Sequence, residues 1–219
     1  MAAAIHTLDT LLQPPNAQRS LEATVMLASL RAHPRPGVSS SDVAQERSRA
    51  RELFDRVSKG LELDDARTNG SGPSRTSRII GDDMDMHAEI ARLWQGENLD
   101  RMGKALKEAL RISEGTGQVD PRLLNNLGAL QHLEGNLPEA RVLYESALTS
   151  ASVLGPETGE GMSTSILYNL ARVYEDHGEV LMAKDAYDKL LSRHPEYVDG
   201  RFLSDRCLHR MMLNRFWLY

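Results

Sequence analysis

The sequence "NNLGALQHLEGNLPEARVLYESAL", residues 125–148, decides the fold of this chain because a related sequence follows it. That second sequence is "YNLARVYEDHGEVLMAKDAYDKLL", residues 168–191, which aligns with the first without a gap at an offset of 43 residues (170 minus 127). The aligned pairs are Leu127 with Leu170, Gly128 with Ala171, Gly135 with Gly178, Leu137 with Val180, Ala140 with Ala183, Tyr144 with Tyr187 and Ala147 with Leu190. This agreement at fixed offsets indicates an internal repeat.

Each copy is predicted to form two helices that meet at a glycine, Gly135 or Gly178. Apolar residues recur at helical spacing on both sides of it, and glycine is the preferred residue just past a helix end. Small residues are expected where the two helices touch, because a large side chain there would push the pair apart. The residues expected at this contact are Gly128, Ala140, Ala171 and Ala183, with Tyr144 and Tyr187 filling the space beside them.

This pattern resembles the tetratricopeptide repeat (TPR), including its small-residue, aromatic and closing proline positions, the last being Pro195. The second copy has a further tyrosine of the repeat, Tyr174, where the first copy has Gln131. The resemblance implies helix pairs that each leave one face unburied and therefore stack on their neighbours. The copies lie further apart than the roughly 34 residues of the standard repeat. The excess either lengthens a helix or forms a long loop that includes "GPETGEG", residues 155–161.

Weaker copies of the pattern lie upstream, and no segment shows the alternation of a strand. The predicted fold is therefore all-α, with about four antiparallel helix pairs stacked as a short TPR solenoid whose outer pairs are degenerate. The predicted organisation is a poorly ordered leader at 1–19, a degenerate TPR-like pair at 20–63, a flexible insertion at 64–81, TPR helix pairs at 82–200 and an atypical tail at 201–219.

Composition and charge exclude several classes of function. Hydrophobic residues make up 41% of the 219 residues and charged residues 26%, which is typical of a soluble globular chain. The formal net charge of −5 gives no general case for nucleic-acid binding. No apolar run approaches the roughly 18 residues of a membrane span, and the N-terminal sequence is a poor signal peptide. The single cysteine, Cys207, excludes an internal disulfide and favours a reducing compartment.

No group of residues in the sequence predicts catalysis. The acidic residues of "GDDMDMHAE", residues 81–89, surround His87, but they lack the spacing of a calcium loop and suit the first turn of a helix. Histidines and Cys207 do not combine at metal-ligand or nucleophile spacing, and no phosphate-binding loop appears. We therefore predict a chain that is not an enzyme, with no catalytic residue, metal ligand, cofactor or small-molecule substrate.

The face lined by the first helices of the two copies is the candidate protein-binding groove. Helix phase directs six side chains toward it: Asn125, His132, Tyr168, Arg172, Glu175 and Asp176. Chaperone-docking TPR proteins resemble one another in a lysine–asparagine clamp, and the lysines are missing here, which disfavours a chaperone adaptor. The alternative is that these residues merely solvate the face or contact adjacent repeats.

Two runs carry a narrower resemblance. "LLNNLGALQHLEGNLPEARVLYESAL" and "SILYNLARVYEDHGEVLMAKDAYDKLLSRHPEYVDG" together resemble the central region of the Ctr-nine family, the large TPR subunit of the RNA polymerase II-associated factor (Paf) complex. The resemblance implies a nuclear scaffold whose partners are Paf-complex subunits and RNA polymerase II, and which supports transcription elongation and transcription-coupled histone modification. The alternatives are a generic TPR adaptor with unrelated protein partners and an enzyme on a TPR platform.

The sequence departs from that family in its length and at its end. Family members are several times longer, with repeats on both sides of the matching region. After Gly200 the chain continues as "RFLSDRCLHRMMLNRFWLY", which shows no repeat pattern. Three interpretations stay open for this tail: a short helix that caps the last repeat, a truncated or misread gene product, and a basic-aromatic contact with a membrane or nucleic acid.

Overall fold

The computed structural model describes residues 1–13, 20–34, 37, 39–67, 74–197, 200 and 202–207, without the side chains of residues 65, 67, 156 and 157. All regular secondary structure in these residues is helical, which confirms the predicted all-α class. The helices are α1 (Ala2–Leu12), α2 (Leu21–Ala32), α3 (Ser40–Arg67), α4 (Arg75–Gly81), α5 (Met84–Trp94), α6 (Leu99–Gly115), α7 (Pro121–Leu133), α8 (Leu137–Val153), α9 (Pro156–Asp176) and α10 (Val180–Arg193). Residues 202–207 are helical as well.

The chain divides into two compact units, residues 1–112 and residues 113–219. In the first unit α2 packs along α3, and α1, α4 and α5 surround this pair. Its core contains small and apolar residues, and helix packing buries them because they lie on one face of each helix. The buried core residues are Leu27, Ala28, Ala32, Ala50, Leu53, Phe54, Val57, Ile80, Met86 and Leu93.

Two parts of the first unit differ from the sequence prediction. Within 1–19, which was expected to be poorly ordered, α1 is a helix whose Ile5 and Leu8 pack on the core. Within 64–81, which was expected to be a flexible insertion, α3 continues to Arg67 and α4 begins at Arg75. Ser74 caps α4 by accepting the Ser77 backbone N–H at 3.2 Å, a local contact that needs no apolar period in the sequence. Residues 14–19 and 68–73 lie outside the described residues.

In the second unit α7, α8, α9 and α10 pack in chain order, each on the helix before it. The turn from α7 to α8 has Gly135 at φ +79°, with the Asn136 N–H donating to the Gln131 carbonyl at 2.9 Å. A left-handed residue closed by this hydrogen bond is the Schellman arrangement, which glycine adopts without strain. The turn from α9 to α10 repeats it 43 residues later, with Gly178 at φ +85° and a 2.8 Å bond from the Glu179 N–H to the Tyr174 carbonyl.

Helices α7 and α8 pack closely together at Gly128. A Cβ atom at this residue would lie 2.8 Å from Cε1 and 2.9 Å from Cδ1 of Tyr144, whose side chain is only 1% exposed. The aligned residues of the second copy, Ala171 and Tyr187, are fully buried too. The small residue therefore admits the tyrosine ring between the paired helices, as the repeat predicts.

The excess length between the copies goes into both flanking helices. Helix α8 runs to Val153 and α9 begins at Pro156, so the alternative of a lengthened helix is correct and that of a loop over 155–161 is wrong. Two features favour helix there. Proline is well suited to the first turn of a helix. In addition, α9 passes so close to α8 at Gly159 that a Cβ atom would overlap the Ala151 carbonyl oxygen and lie 3.0 Å from that of Leu154.

Replacing Gly128 by leucine is expected to destabilise the second unit by about 1–3 kcal/mol, because the new side chain must displace the buried Tyr144 ring. Thermal and urea unfolding followed by circular dichroism measures the change. Gly161→Leu is the matched control, because this helical glycine has no atom within 4 Å of an added Cβ. Equal stability of the two variants would contradict the proposed contact.

The close approach of α8 and α9 gives a second prediction. Gly159→Ala is expected to lower the free energy of unfolding by roughly 1–3 kcal/mol, because its methyl group meets backbone that cannot rotate away. Gly161→Ala, two residues further along the same helix, is expected to raise that free energy by up to about 1 kcal/mol, because alanine has a higher helix propensity than glycine. Opposite signs in the same urea titration are the expected outcome. A neutral Gly159→Ala would show that the two helices do not approach this closely.

Candidate protein-binding surface

Side chains of α7 and α9, the first helices of the two copies, meet at two polar contacts. The Asn169 amide Nδ2 donates to the Asn125 Oδ1 at 3.0 Å. One to two helical turns further along α7, His132 Nε2 lies 2.7 Å from Asp176 Oδ2. All four side chains remain half-buried or exposed, whereas Leu127 and Leu170 beneath them are buried. The two helices therefore carry two polar contacts on the face above an apolar packing layer.

The predicted groove residues separate into two groups in the structure. Asn125, His132 and Asp176 belong to the polar face just described. Tyr168, Arg172 and Glu175 instead lie toward α10 and the C-terminal residues. This division follows from the helix phase of α9, where residues three and four positions apart share a face while neighbouring residues do not. That these six residues bind a protein stays a prediction.

Glu175 is the most enclosed of the six. Its carboxylate side chain is 8% exposed, it accepts a hydrogen bond from the Tyr187 hydroxyl at 3.2 Å, and it forms an ion pair with Arg206. The Nε of Arg172 lies 3.9 Å from the same carboxylate and is buried, with no hydrogen-bond partner among the described residues. A hydrogen bond that the Arg172 guanidinium donates to Tyr168 raises the pKa of Arg172. Two guanidinium groups thus converge on one buried carboxylate.

Tyr187, which hydrogen-bonds this carboxylate, belongs to a cluster of three tyrosine rings. Tyr168 packs edge-to-face against Tyr187, with ring centroids 6.3 Å apart, and against Tyr197 at 5.8 Å. Such edge-to-face pairs add stabilisation beyond the area they bury. Burial, together with the nearby Glu175 carboxylate, raises the pKa of Tyr187 well above its ordinary value.

A further polar group ties α8 to α9 on another side of the repeat. The Tyr174 hydroxyl donates to Glu145 Oε1 at 3.0 Å, and the Arg141 guanidinium lies 5.2 Å from the Tyr174 ring centroid. Arg141 also pairs with Glu145 at 2.9 Å and with Glu179 at 3.4 Å. Burial raises the pKa of Tyr174 to about 12, and the hydrogen bond to Glu145 adds to the effect.

Ten of the thirteen residues assigned to TPR packing are buried. The buried ones are Leu127, Gly128, Ala140, Tyr144, Ala147, Leu170, Ala171, Tyr174, Ala183 and Tyr187. Gly135 and Gly178 are exposed at the turns, and Pro195 is exposed just after α10 ends.

Residues 202–207 agree with one of the three interpretations left open for the tail, a short helix on the last repeat. Leu203, Ser204 and Cys207 are buried, and the Ser204 hydroxyl donates to Asp188 Oδ1 at 2.7 Å. Burial raises the pKa of Asp188, but hydrogen bonds from Lys184 and Ser204 outweigh this effect and the pKa is lowered. The segment has no repeat pattern, and its one sequence indication is the apolar pair Leu203 and Cys207 at helical spacing. Residues 208–219 lie outside the described residues.

Another surface of the second unit is a groove of about 720 Å³ between α8, α9 and α10. Its floor is apolar, with Leu167, Leu170 and Ala186, and its rim carries Asp185 and Lys189, which pair with each other at 2.7 Å. The described residues contain no group of three or more histidine, cysteine or acidic side chains placed to hold a metal ion. Within the described parts of the chain, no helix is both long enough and apolar enough to cross a bilayer.

The fold defines an α-helical repeat protein, and comparison with known proteins specifies the type of repeat. The solved structure of BtubC (BKLC) from P. vanneervenii superimposes with a TM-score of 0.58, 15% sequence identity and coverage of 99% of this chain and 89% of that chain. A putative kinesin light chain with TPR-like repeats from Podosopora anserina gives a TM-score of 0.50 at 16% identity, covering 89% and 95%. The described helices have the fold of TPR-like repeat proteins.

A curated sequence relative agrees with this class. Tetratricopeptide repeat protein 1 of Schizosaccharomyces pombe is 33% identical over 185 residues, which are 84% of this chain. The chain spans 16% of the length of that relative. The sequence matches no protein-family model.

The raised pKa of Tyr174 predicts a loss of stability in alkali. The folded state keeps the phenol proton up to about pH 12, whereas the unfolded chain loses it near pH 10, so stabilisation present below pH 10 is lost as the pH rises through 12. Urea unfolding between pH 9 and pH 12 should show a falling free energy of unfolding. The fall should be smaller for Tyr174→Phe than for the unchanged chain, and identical profiles would contradict the assignment.

Proposed function

We propose that this chain is a non-enzymatic protein-interaction scaffold whose α7–α9 face binds a partner polypeptide. The observation that carries the proposal is the amide pair Asn125 and Asn169 beside the pair His132 and Asp176 on neighbouring first helices. Polar side chains that bridge two helices and stay accessible are suited to recognition, since they are already ordered before a ligand arrives.

The amide pair has the chemistry to hold a peptide backbone. Each asparagine side chain carries two donor hydrogens and an acceptor oxygen, and the bond between them uses one donor and part of one acceptor. The remaining Asn125 donors and the Asn169 oxygen match the carbonyl and N–H of one extended peptide unit. A backbone-directed contact of this kind binds many sequences, and neighbouring side chains then supply the selectivity.

A finer proposal concerns the partners. The two runs within residues 120–200 support a scaffold similar to a fragment of the Paf-complex TPR subunit, acting in the nucleus in transcription elongation and histone modification through Paf-complex subunits and RNA polymerase II. The generic alternative is a TPR adaptor with unrelated protein partners, and the fold-level similarities fit it equally well. An enzyme on a TPR platform is the third alternative, and no arrangement of the residues that the structure describes in the second unit argues for it.

Affinity capture from nuclear extract tests the proposal with the tagged full chain. The narrower form expects Paf-complex subunits or RNA polymerase II in the eluate, quantified by mass spectrometry against a tag-only control. Asn125→Ala combined with Asn169→Ala should remove most of the captured protein, because it deletes the amide pair without touching a buried residue. The generic form expects other clients that depend on the same two residues.

Asn126→Ala is the matched control for this experiment. It removes the same side chain from the same helix at an exposed position adjacent to the pair. If all captured proteins persist in the double variant, or disappear equally in the control, then the α7–α9 face is not the binding surface and the proposal fails.

A further inference from the structure

We propose that Glu175, Tyr187 and Asp188 form an acidic notch that recognises an arginine-bearing helix of a partner protein, and that residues 202–207 occupy this notch in cis. The notch lies on α9 and α10, and its occupant is a helix rather than an extended peptide. The inference therefore goes beyond the proposed binding face of α7 and α9 and does not depend on it.

The seated helix shows what the notch recognises. Arg206 pairs with the Glu175 carboxylate, Ser204 donates to Asp188 at 2.7 Å, and Leu203 is buried beside them. The Tyr187 hydroxyl holds the Glu175 carboxylate in place at 3.2 Å. A matching partner helix carries an apolar residue, a small polar residue at the next position, and an arginine three positions after the apolar residue. A planar guanidinium suits a fixed carboxylate better than a lysine ammonium does.

The cis occupant is weakly held by its own structure. Its described part has six helical residues, 202–207, and isolated helices shorter than roughly 12 residues are marginal in water. Phe202 remains 67% exposed and the Arg206 side chain 49% exposed, so much of this helix contributes little buried area. The helix therefore depends on the notch for its stability, and a longer partner helix with its own propensity has the advantage.

Arg172 lowers the cost of releasing Arg206. Removing the only cationic partner of a buried carboxylate strongly destabilises the folded protein. Here the buried Arg172 Nε already lies 3.9 Å from Glu175, so the carboxylate keeps a cation beside it when Arg206 leaves. Glu175 thus has two alternative guanidinium partners, one on the repeat and one on the exchangeable helix.

A peptide-binding experiment on the full chain tests this exchange. The probe is a fluorescein-labelled, capped peptide with the sequence of residues 200–207, "GRFLSDRC", followed by fluorescence anisotropy under reducing conditions. Arg206→Ala should bind the probe saturably, because its notch lacks the cis arginine. The unchanged chain should bind the probe at least about tenfold more weakly, because the cis helix occupies the notch in most molecules. The probe carrying Arg206→Ala should not bind either protein.

Equal binding of the probe by the unchanged chain and by Arg206→Ala would overturn the proposal. Equal binding of the probe and its alanine version would also overturn it, as would undiminished binding after Glu175→Gln is added to Arg206→Ala. Circular dichroism melts establish that the variants are folded. Arg206→Lys is the second variant, because it keeps a cation beside Glu175 if the alanine variant does not fold. It should bind the probe more tightly than the unchanged chain, and failure to do so would also contradict the proposal.

Discussion

The structure of the second unit depends on one close contact, the approach of α7 and α8 at Gly128. The absence of a side chain at this residue lets the Tyr144 ring enter between the helices, and the ring is then almost completely buried. Because that contact fixes the distance between paired helices, it also fixes which side chains reach outward. The polar face of α7 and α9 is therefore a consequence of small residues that have no chemistry of their own.

The electrostatics of the last helix pair centre on a single buried carboxylate. Glu175 accepts a hydrogen bond from Tyr187, forms an ion pair with Arg206 and lies 3.9 Å from the Arg172 Nε. Its one carboxylate therefore contacts both the final repeat and residues 202–207. A buried charge of this kind adds little net stability, whereas removing its cationic partners is strongly destabilising. The same carboxylate links the packing of α9 and α10 to residues 202–207.

The repeat predicted the pairing of α7 with α8 and of α9 with α10 correctly because its glycines and small residues have strict local requirements. Gly135 and Gly178 adopt left-handed conformations, and the same hydrogen bonds follow each. The segment at 155–161 was misjudged because glycines usually interrupt helices, whereas Gly159 is needed inside one for the contact with α8. Local composition favours a loop there, and only the neighbouring helix reverses that preference.

The candidate surface was predictable in part. Helix phase identified His132 and Asp176 as neighbours of the groove, but it did not reveal that they pair with each other, nor that Asn169 bonds Asn125. The sequence by itself determined the helical class, the two-copy repeat and its turns, since these depend on residues close together in the chain. Only the tertiary structure determined the burial and the ion pair of Glu175, because its partner Arg206 lies in a segment without a repeat pattern and reaches the carboxylate through three-dimensional packing.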